Sequence, residues 1–319
     1  MLIAIFPSVV VDGLVLGFVY AMIALGYTMV YGVLQMINFA HSEIFVTGAF
    51  VGAEILLLMQ AGGTLGALHP LALLALIVLV AMLVSAVLAV AVERIAYRPL
   101  RGAPRLIPLI SAIGVSFFLQ DAIRLVESLW RNAFYLTYPA VEFFDLRIPI
   151  AGDIDVPVKS ILVVVAALLM LVVLTLFVNR TKLGTAIRAV AEDRAAAGLM
   201  GINVGRMISL TFLIGGAMGG AAGALFGVQF GTINPYTGFI PGIKAFTAAV
   251  LGGIGNVPGA MVGGLVLGML ETLAASYMSL LTGGAFGAEY KDIFAFSVLI
   301  LILMFRPRGL LGEVVREKL

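Results

Sequence analysis

Residues 207–231 read MISLTFLIGGAMGGAAGALFGVQFG, an apolar run long enough to meet the roughly 20 residues a helix needs to cross a bilayer. Inside it Gly215, Gly219, Gly223, Gly227 and Gly231 recur every fourth residue, doubled by Gly216 and Gly220. That spacing keeps a slowly winding stripe of bare backbone along one helix, against which another helix can pack closely. Gly13/Gly17, Gly48/Gly52, Gly259/Gly263 and Gly264/Gly268 repeat the device. The pattern predicts a tightly packed, transporter-like bundle of membrane helices and names no solute.

Composition agrees with that reading. The hydrophobic fraction is 62% and the charged fraction 11%, against about 25% charged in soluble domains, and mean hydropathy is +1.16. The apolar residues come in long runs and not in the weak alternation of a membrane β-barrel. An all-α, polytopic membrane helix bundle is expected, with residues 1–319 as one transmembrane domain. Cysteine is absent, which excludes disulfide frameworks, thiolate metal sites and cysteine nucleophiles. A net charge of +2 is too small to suggest nucleic acid. No Lys or Arg precedes the first apolar run, so the start does not read as a cleavable signal peptide.

Working outward, candidate spans fall near 9–33, 38–59, 70–92, 106–127, 160–179, 207–230, 257–280 and 291–306. A shorter run, 240–255, is broken by Gly252, Gly253 and Gly255. Basic residues in short loops mark the cytoplasmic side. Arg94, Arg98, Arg101 and Arg105 dominate 93–105; Arg180, Lys182, Arg188, Arg194 and Arg206 outnumber Glu192 and Asp193 in 180–206. The tail adds Arg306, Arg308, Arg316 and Lys318. The loop 127–159 is the more acidic one, with Glu127, Glu142, Asp145, Asp153 and Asp155, and belongs outside. An outer N-terminus and an inner C-terminus require an odd number of crossings, which counting 240–255 as a ninth crossing satisfies; the alternative for that run is a re-entrant or broken helix buried among others. The expected number of spans is eight to ten.

The outer loop has its own pattern. Leu146, Ile148 and Ile150, then Ile154, Val156 and Val158, alternate with polar residues around Gly152-Asp153, which predicts a small β-hairpin within 143–158. Trp130, Phe134, Tyr135 and Tyr138 ahead of it fit either an interfacial aromatic belt or a docking surface for an external protein.

Ionisable groups at membrane depth are costly and usually face a polar interior. Glu43 and Glu54 lie about three helical turns apart, on one face of the second span with Thr47 between them and Gly48 and Gly52 opposite. With Asn38, His41 and Lys244 they are the candidates for lining a solute path, although each also fits a satisfied buried polar group or, near a span end, a side chain reaching the headgroups. The same alternative holds for Glu271. Asp121 and Arg124, spaced i,i+3, are expected to pair near the outer interface. His41 and His69, at opposite ends of one helix-length segment, make a metal or acid–base site improbable.

Between two spans, RTKLGTAIRAVAEDRAAAGLMGINVGR occupies 180–206. Ile187, Val190, Ala191, Ala195, Leu199 and Ile202 recur at steps of three or four and put an apolar side on a helix, with Arg188, Glu192 and Asp193 on the other. A short amphipathic helix near Thr185–Met200, outside the membrane, is expected. It either fixes topology alone or serves as a working part. No G-x-x-x-x-G-K-[ST] phosphate loop exists and no lysine directly follows a glycine, so the chain has no such loop with which to hydrolyse ATP. That leaves an ion-coupled carrier, with Glu43, Glu54 or Asp12 as ion carriers, or a membrane subunit driven by a separate ATPase. A passive channel or scaffold is a third class.

Three blocks carry a resemblance: GLVLGFVYAMIALGYTMVYGVLQMINFAHSEIFVTGAFVGA near the start, RAVAEDRAAAGLMGI in the loop, and FIPGIKAFTAAVLGGIGNVPGAMVGGLVLGMLE later, with RPRGLLGE at the end. Over essentially its whole length the chain resembles the H-type (LivH-type) permease subunits of bacterial and archaeal branched-chain amino acid ABC importers. The resemblance implies a half-channel in the cytoplasmic (inner) membrane that moves branched-chain or related hydrophobic amino acids inward by alternating access. Its implied partners are a second, M-type permease, two cytoplasmic ATP-binding subunits and a periplasmic or lipid-anchored binding protein. ATP and Mg would sit in those partners, with no cofactor in this chain. Permeases of this class carry a cytoplasmic coupling helix, often with E-A-A-x-x-x-G. Ala196-Ala197 and Gly201 match its second part, whereas Ala195 stands where the Glu would be. Arg188, Glu192, Asp193 and Arg194 complete the implied ATPase contact. Relatives in this family carry urea or short amides, so the solute stays open.

Overall fold

The structure, a computed structural model, describes residues 2–36, 38–104, 106–151 and 154–312. Arg105, Arg316 and Lys318 of the basic segments lie outside the described residues, as does the Gly152-Asp153 turn. The chain forms a helix bundle. Among the described residues, seven helices are long and apolar enough to cross a membrane: α1 Leu2–Leu34, α2 His41–Ala61, α3 Pro70–Val92, α4 Leu106–Trp130, α6 Val158–Arg180, α9 Val204–Phe230 and α11 Val257–Leu281. Two shorter apolar helices join them, α10 Phe239–Gly252 and α12 Lys291–Phe305. Together they occupy the nine runs read in the sequence.

The glycine-rich helix α9 is at the centre, with most of its length buried. Its glycines serve three neighbouring helices. A Cβ at Gly216 or Gly220 would run into Ser85 and Ala81 of α3, and one at Gly215 would meet Val30 and Gly26 of α1. Gly219 and Gly223 face α2 at His41, Phe45 and Ala49, and Gly227 lies under the ring of Tyr138. Bare backbone on two sides lets three helices close on one, which is the packing small residues permit where lipid offers no hydrophobic drive between helices. Gly17 and Gly264 bring α1 onto α11 in the same way, and Gly263 brings α11 onto Ala248 of α10.

The 15-residue α12 is about 22 Å long, short of the roughly 30 Å hydrocarbon core. It starts inside the bundle because Lys291 and Asp292 in its first turn pair with Glu271 and Lys244. The broken run at 240–255 also has a definite course. After α9 ends at the left-handed Gly231, β4 Thr232–Ile233 pairs antiparallel with β1 Leu136–Thr137, beyond the end of α4. The chain then reaches in to Ser42 of α2, where Gly238 and Gly242 leave room for it, and α10 continues to the opposite end. There Leu310 N–H donates to Leu251 O at 2.7 Å and Leu311 N–H to Gly252 O at 3.0 Å.

Short elements complete the loops. α5 Glu142–Asp145 takes residues expected to open the hairpin, which narrows to β2 Arg147–Ala151 and β3 Ile154–Pro157. Of the aromatics, Trp130 and Tyr135 are exposed as an interfacial belt would be, but Tyr138 is buried and its hydroxyl donates to Ala49 O. Gly227 and Gly52 open the slot that receives it. After α3 the helix widens through a π turn over Glu93–Tyr97. This turn brings Glu93 inward, where it pairs with Arg101 and accepts from Ser209 Oγ at 2.7 Å.

Candidate functional site

The 180–206 loop is two helices where one was expected, α7 Lys182–Glu192 and α8 Arg194–Leu199. Thr181 caps α7 through its hydroxyl to Gly184 N–H at 2.9 Å. Gly184 has no room for a Cβ against the carbonyls of Phe177 and Val178, so α7 folds straight back onto the end of α6. Asp193 breaks the run: its backbone is extended, and its Oδ1 accepts from Ala195 and Ala196 N–H at 2.8 and 3.0 Å. A side chain that caps a new helix competes with continuing the old one. The break turns the second half of the apolar face. Ile187, Val190 and Ala197 are buried, whereas Leu199 and Met200 stand 88% and 82% exposed.

The other residues of this segment fall into place around that turn. Arg194 Nη2 donates to the carbonyls of Val33 and Leu34 at 3.0 Å each, satisfying acceptors that the end of α1 leaves open. Burial, then the nearby charge of Arg101, lowers the Arg194 pKa from its ordinary value. Arg188 bonds Asn179 at 3.2 Å. Gly201 takes φ +84°, the left-handed region that glycine enters without strain, and turns the chain toward α9. Asp193 and Glu192 border a cavity of about 400 Å³ with Leu34, Arg101 and Arg194. The ends of α1, α6 and α10, the starts of α9 and α11 and the segment 306–312 all gather at this end of the bundle. Arg194 on Leu34, Glu93 on Ser209, Gly32 beside Gly255, and Leu310 on Leu251 are the links.

Within the bundle, the two carboxylates of the second span turn toward α4. Glu43 is fully buried, and its Oε1 accepts from Ser42, Ser116 and Gln120, each at 3.1 Å. Glu54 pairs with Arg131 just past the end of α4 and borders, with Thr47, a cavity of about 440 Å³. The two carboxylates thus share a face, as their spacing predicted. Asn38 is buried and accepts from Tyr97 OH at 2.7 Å. His41 is buried edge-on to Tyr27, with ring centroids 4.5 Å apart, in the slot opened by Gly26 and Gly219.

Lys244 lies at the centre of a network the sequence did not join. Its ammonium is 2.8 Å from Glu271 and 2.7 Å from Asp292; Glu271 also meets Lys291 at 3.0 Å and accepts from Tyr20 OH at 2.8 Å. Two cations and two carboxylates tie α1, α10, α11 and α12 together. A lone Lys in one apolar run and a lone Glu in the next was the available signal, since buried charges need partners. Asp121 and Arg124 do not pair as expected: Arg124 turns instead to Tyr236 OH at 3.2 Å.

The comparisons with known proteins point one way. The family model for the permease component of the branched-chain amino acid transport system matches residues 9–303. The chain is 45% identical over 308 residues to the high-affinity branched-chain amino acid transport system permease protein BraD of Pseudomonas aeruginosa, covering 97% of this chain and 96% of that one. It is 43% identical over 316 residues to the corresponding LivH of Escherichia coli, covering 96% of each. A probable LivH of Methanocaldococcus jannaschii is 26% identical over 293 residues, 91% of this chain and 88% of the relative. No solved structure matches. With its apolar helices, its glycine-packed centre and this near-complete match, the chain is a multi-pass membrane protein that belongs to the family of branched-chain amino acid transport permeases.

Proposed function

We propose that this chain is the membrane-spanning subunit of an ATP-driven importer of branched-chain amino acids, and that α7–α8 is where the ATPase grips it. The observation that carries this reading is Leu199 and Met200, exposed beside each other on a capped helix at the end where the basic segments gather. An apolar pair held out in water on a short rigid helix fits an anchor for a groove in another protein. The chain lacks a phosphate loop of its own, so the power stroke enters from a partner.

That end is the cytoplasmic one by its basic residues, which puts the N-terminus outside. The membrane is the cytoplasmic (inner) one. The partners are a second permease, two ATP-binding subunits holding ATP and Mg, and an external amino-acid-binding protein. Closure of the nucleotide subunits pushes α8. Arg194 carries the motion to the end of α1, and covalent continuity carries it to α6 and α9. The glycine-packed group α1–α2–α3–α9 then moves as one body against the partner permease. Asn38 Nδ2 and Glu43 Oε2 are buried without a hydrogen-bond partner among the described residues; movement of α2 would offer them to a passing solute.

The test is uptake of radiolabelled leucine into proteoliposomes holding the assembled complex and its binding protein, with ATP inside the nucleotide-facing compartment. ATP-dependent accumulation is expected. Accumulation by this chain alone, under an ion gradient without ATP, would replace the reading with an ion-coupled carrier.

A further inference from the structure

Two outer helices of the bundle present wide faces to their surroundings, α6 and α4. The exposed side of α6 is apolar throughout its middle: Val165, Leu168, Leu169, Val172, Val173 and Leu176. That is what lipid demands. The exposed side of α4 is apolar at Ile110, Phe117 and Leu125 but also carries Asp121, Arg124 and Ser128. Asp121 is about 13 Å from the Trp130 end of the helix, well within a span. It has no hydrogen-bond or ion-pair partner among the described residues. A carboxylate facing lipid at such depth is costly and is usually turned to a polar surrounding. This face therefore meets water or protein.

Its chemistry is specific. Asp121 and Arg124 are three residues apart on one side of the helix, with Cβ atoms roughly 5–6 Å apart, yet Arg124 is drawn off to Tyr236 OH. Arg124 and Ser128 border a cavity of about 210 Å³ with Asn132, Phe134 and Pro235. One free carboxylate, one guanidinium and flanking Phe117 and Leu125 complement an ammonium, a carboxylate and an aliphatic tail. We infer that Asp121 and Arg124 form a waypoint for a zwitterionic aliphatic amino acid in the outer part of the translocation path. Asp121 receives the ammonium and Arg124 the carboxylate, while the partner permease supplies the facing wall. The inference rests on the amino-acid import reading for the identity of the ligand. The demand for a wet or protein-covered face does not.

The experiment uses the assembled importer in proteoliposomes. The chain has no cysteine, so Asp121→Cys places a single thiol in this subunit, with Leu169→Cys on α6 as the lipid-facing comparison. A charged, membrane-impermeant methanethiosulfonate is expected to label Cys at 121 at least tenfold faster than at 169. Leucine uptake is expected to fall at least tenfold in Asp121→Asn and Arg124→Gln through a raised KM, with Asp121→Glu recovering most of it. The inference is overturned if the thiol at 121 resists labelling in every nucleotide state, which would mark a dry subunit contact. Wild-type uptake and KM in Asp121→Asn would also overturn it. Failure of the wild-type complex to import leucine with ATP would instead count against the import reading, and the labelling result would stand apart from it.

Discussion

Helix α9 and the α7–α8 pair are joined by only a few residues, yet they solve opposite problems. In α9, side chains are removed: glycine at six positions from Gly215 to Gly227 lets its neighbours close in, and nearly every residue from Gly215 to Val228 is buried. In α8, large side chains are displayed, and the backbone is held by caps, with Asp193 at one end and the left-handed Gly201 just past the other. The first arrangement stores stability. The second stores little and keeps a surface for something else. Under the import reading proposed above, a bundle pushed from outside needs both, in continuous chain.

The contrast can be broken by mutation. The largest stability effect is expected for Gly223→Leu, whose side chain would collide with the backbone of Phe45 and Ala49. Overpacking against backbone should cost on the order of 3 kcal/mol or more, read as loss of monodisperse protein after solubilisation. A chain that tolerates leucine there would show that α9 does not need its close contacts. Next comes Lys244→Met, which leaves Asp292 facing a vanished cation. Breaking a fully buried pair from one side costs more, but Asp292 is partly exposed and Lys291 still meets Glu271, so about 2 kcal/mol is expected, and adding Asp292→Asn should return part of the lost thermal stability. Asp193→Ala removes one cap from α8 and should cost about 1 kcal/mol, small in a melting curve but visible as faster proteolysis of the 193–201 segment. Leu199→Asp together with Met200→Asp should change stability by less than about 0.5 kcal/mol, as exposed sites do, while ATP-driven leucine uptake falls at least tenfold. If that variant unfolds instead, the pair belongs to the bundle and not to a partner.

Much of this was legible beforehand, for reasons that differ by residue. The spans and the glycine contacts follow from local spacing, because a helix fixes which residues share a face. The facing of Glu43 and Glu54 was readable for the same reason. The break at Asp193 was harder: three- and four-residue steps continue across it, and only the Asp before Ala195 and Ala196 hints at a new cap. Contacts between distant segments left almost no trace. Lys244 and Glu271 announced that each needed a partner without saying which, and Arg194 gave no sign that it would seal the end of α1. Tyr138 looked like any interfacial aromatic until Gly52 and Gly227 were seen to make room for it.

The pairing of Leu310 and Leu311 with Leu251 and Gly252 has a bearing on biosynthesis. The last carbonyls of α10 wait for donors made almost sixty residues later, after α11 and α12 have been inserted. Because chains are made N-terminal end first, α10 stays unsealed until α11 and α12 have entered the membrane and residues 310–311 follow. A chain stopped before Gly309 should therefore insert its helices yet leave α10 open to membrane quality-control proteases, a readout available by pulse-chase labelling in cells.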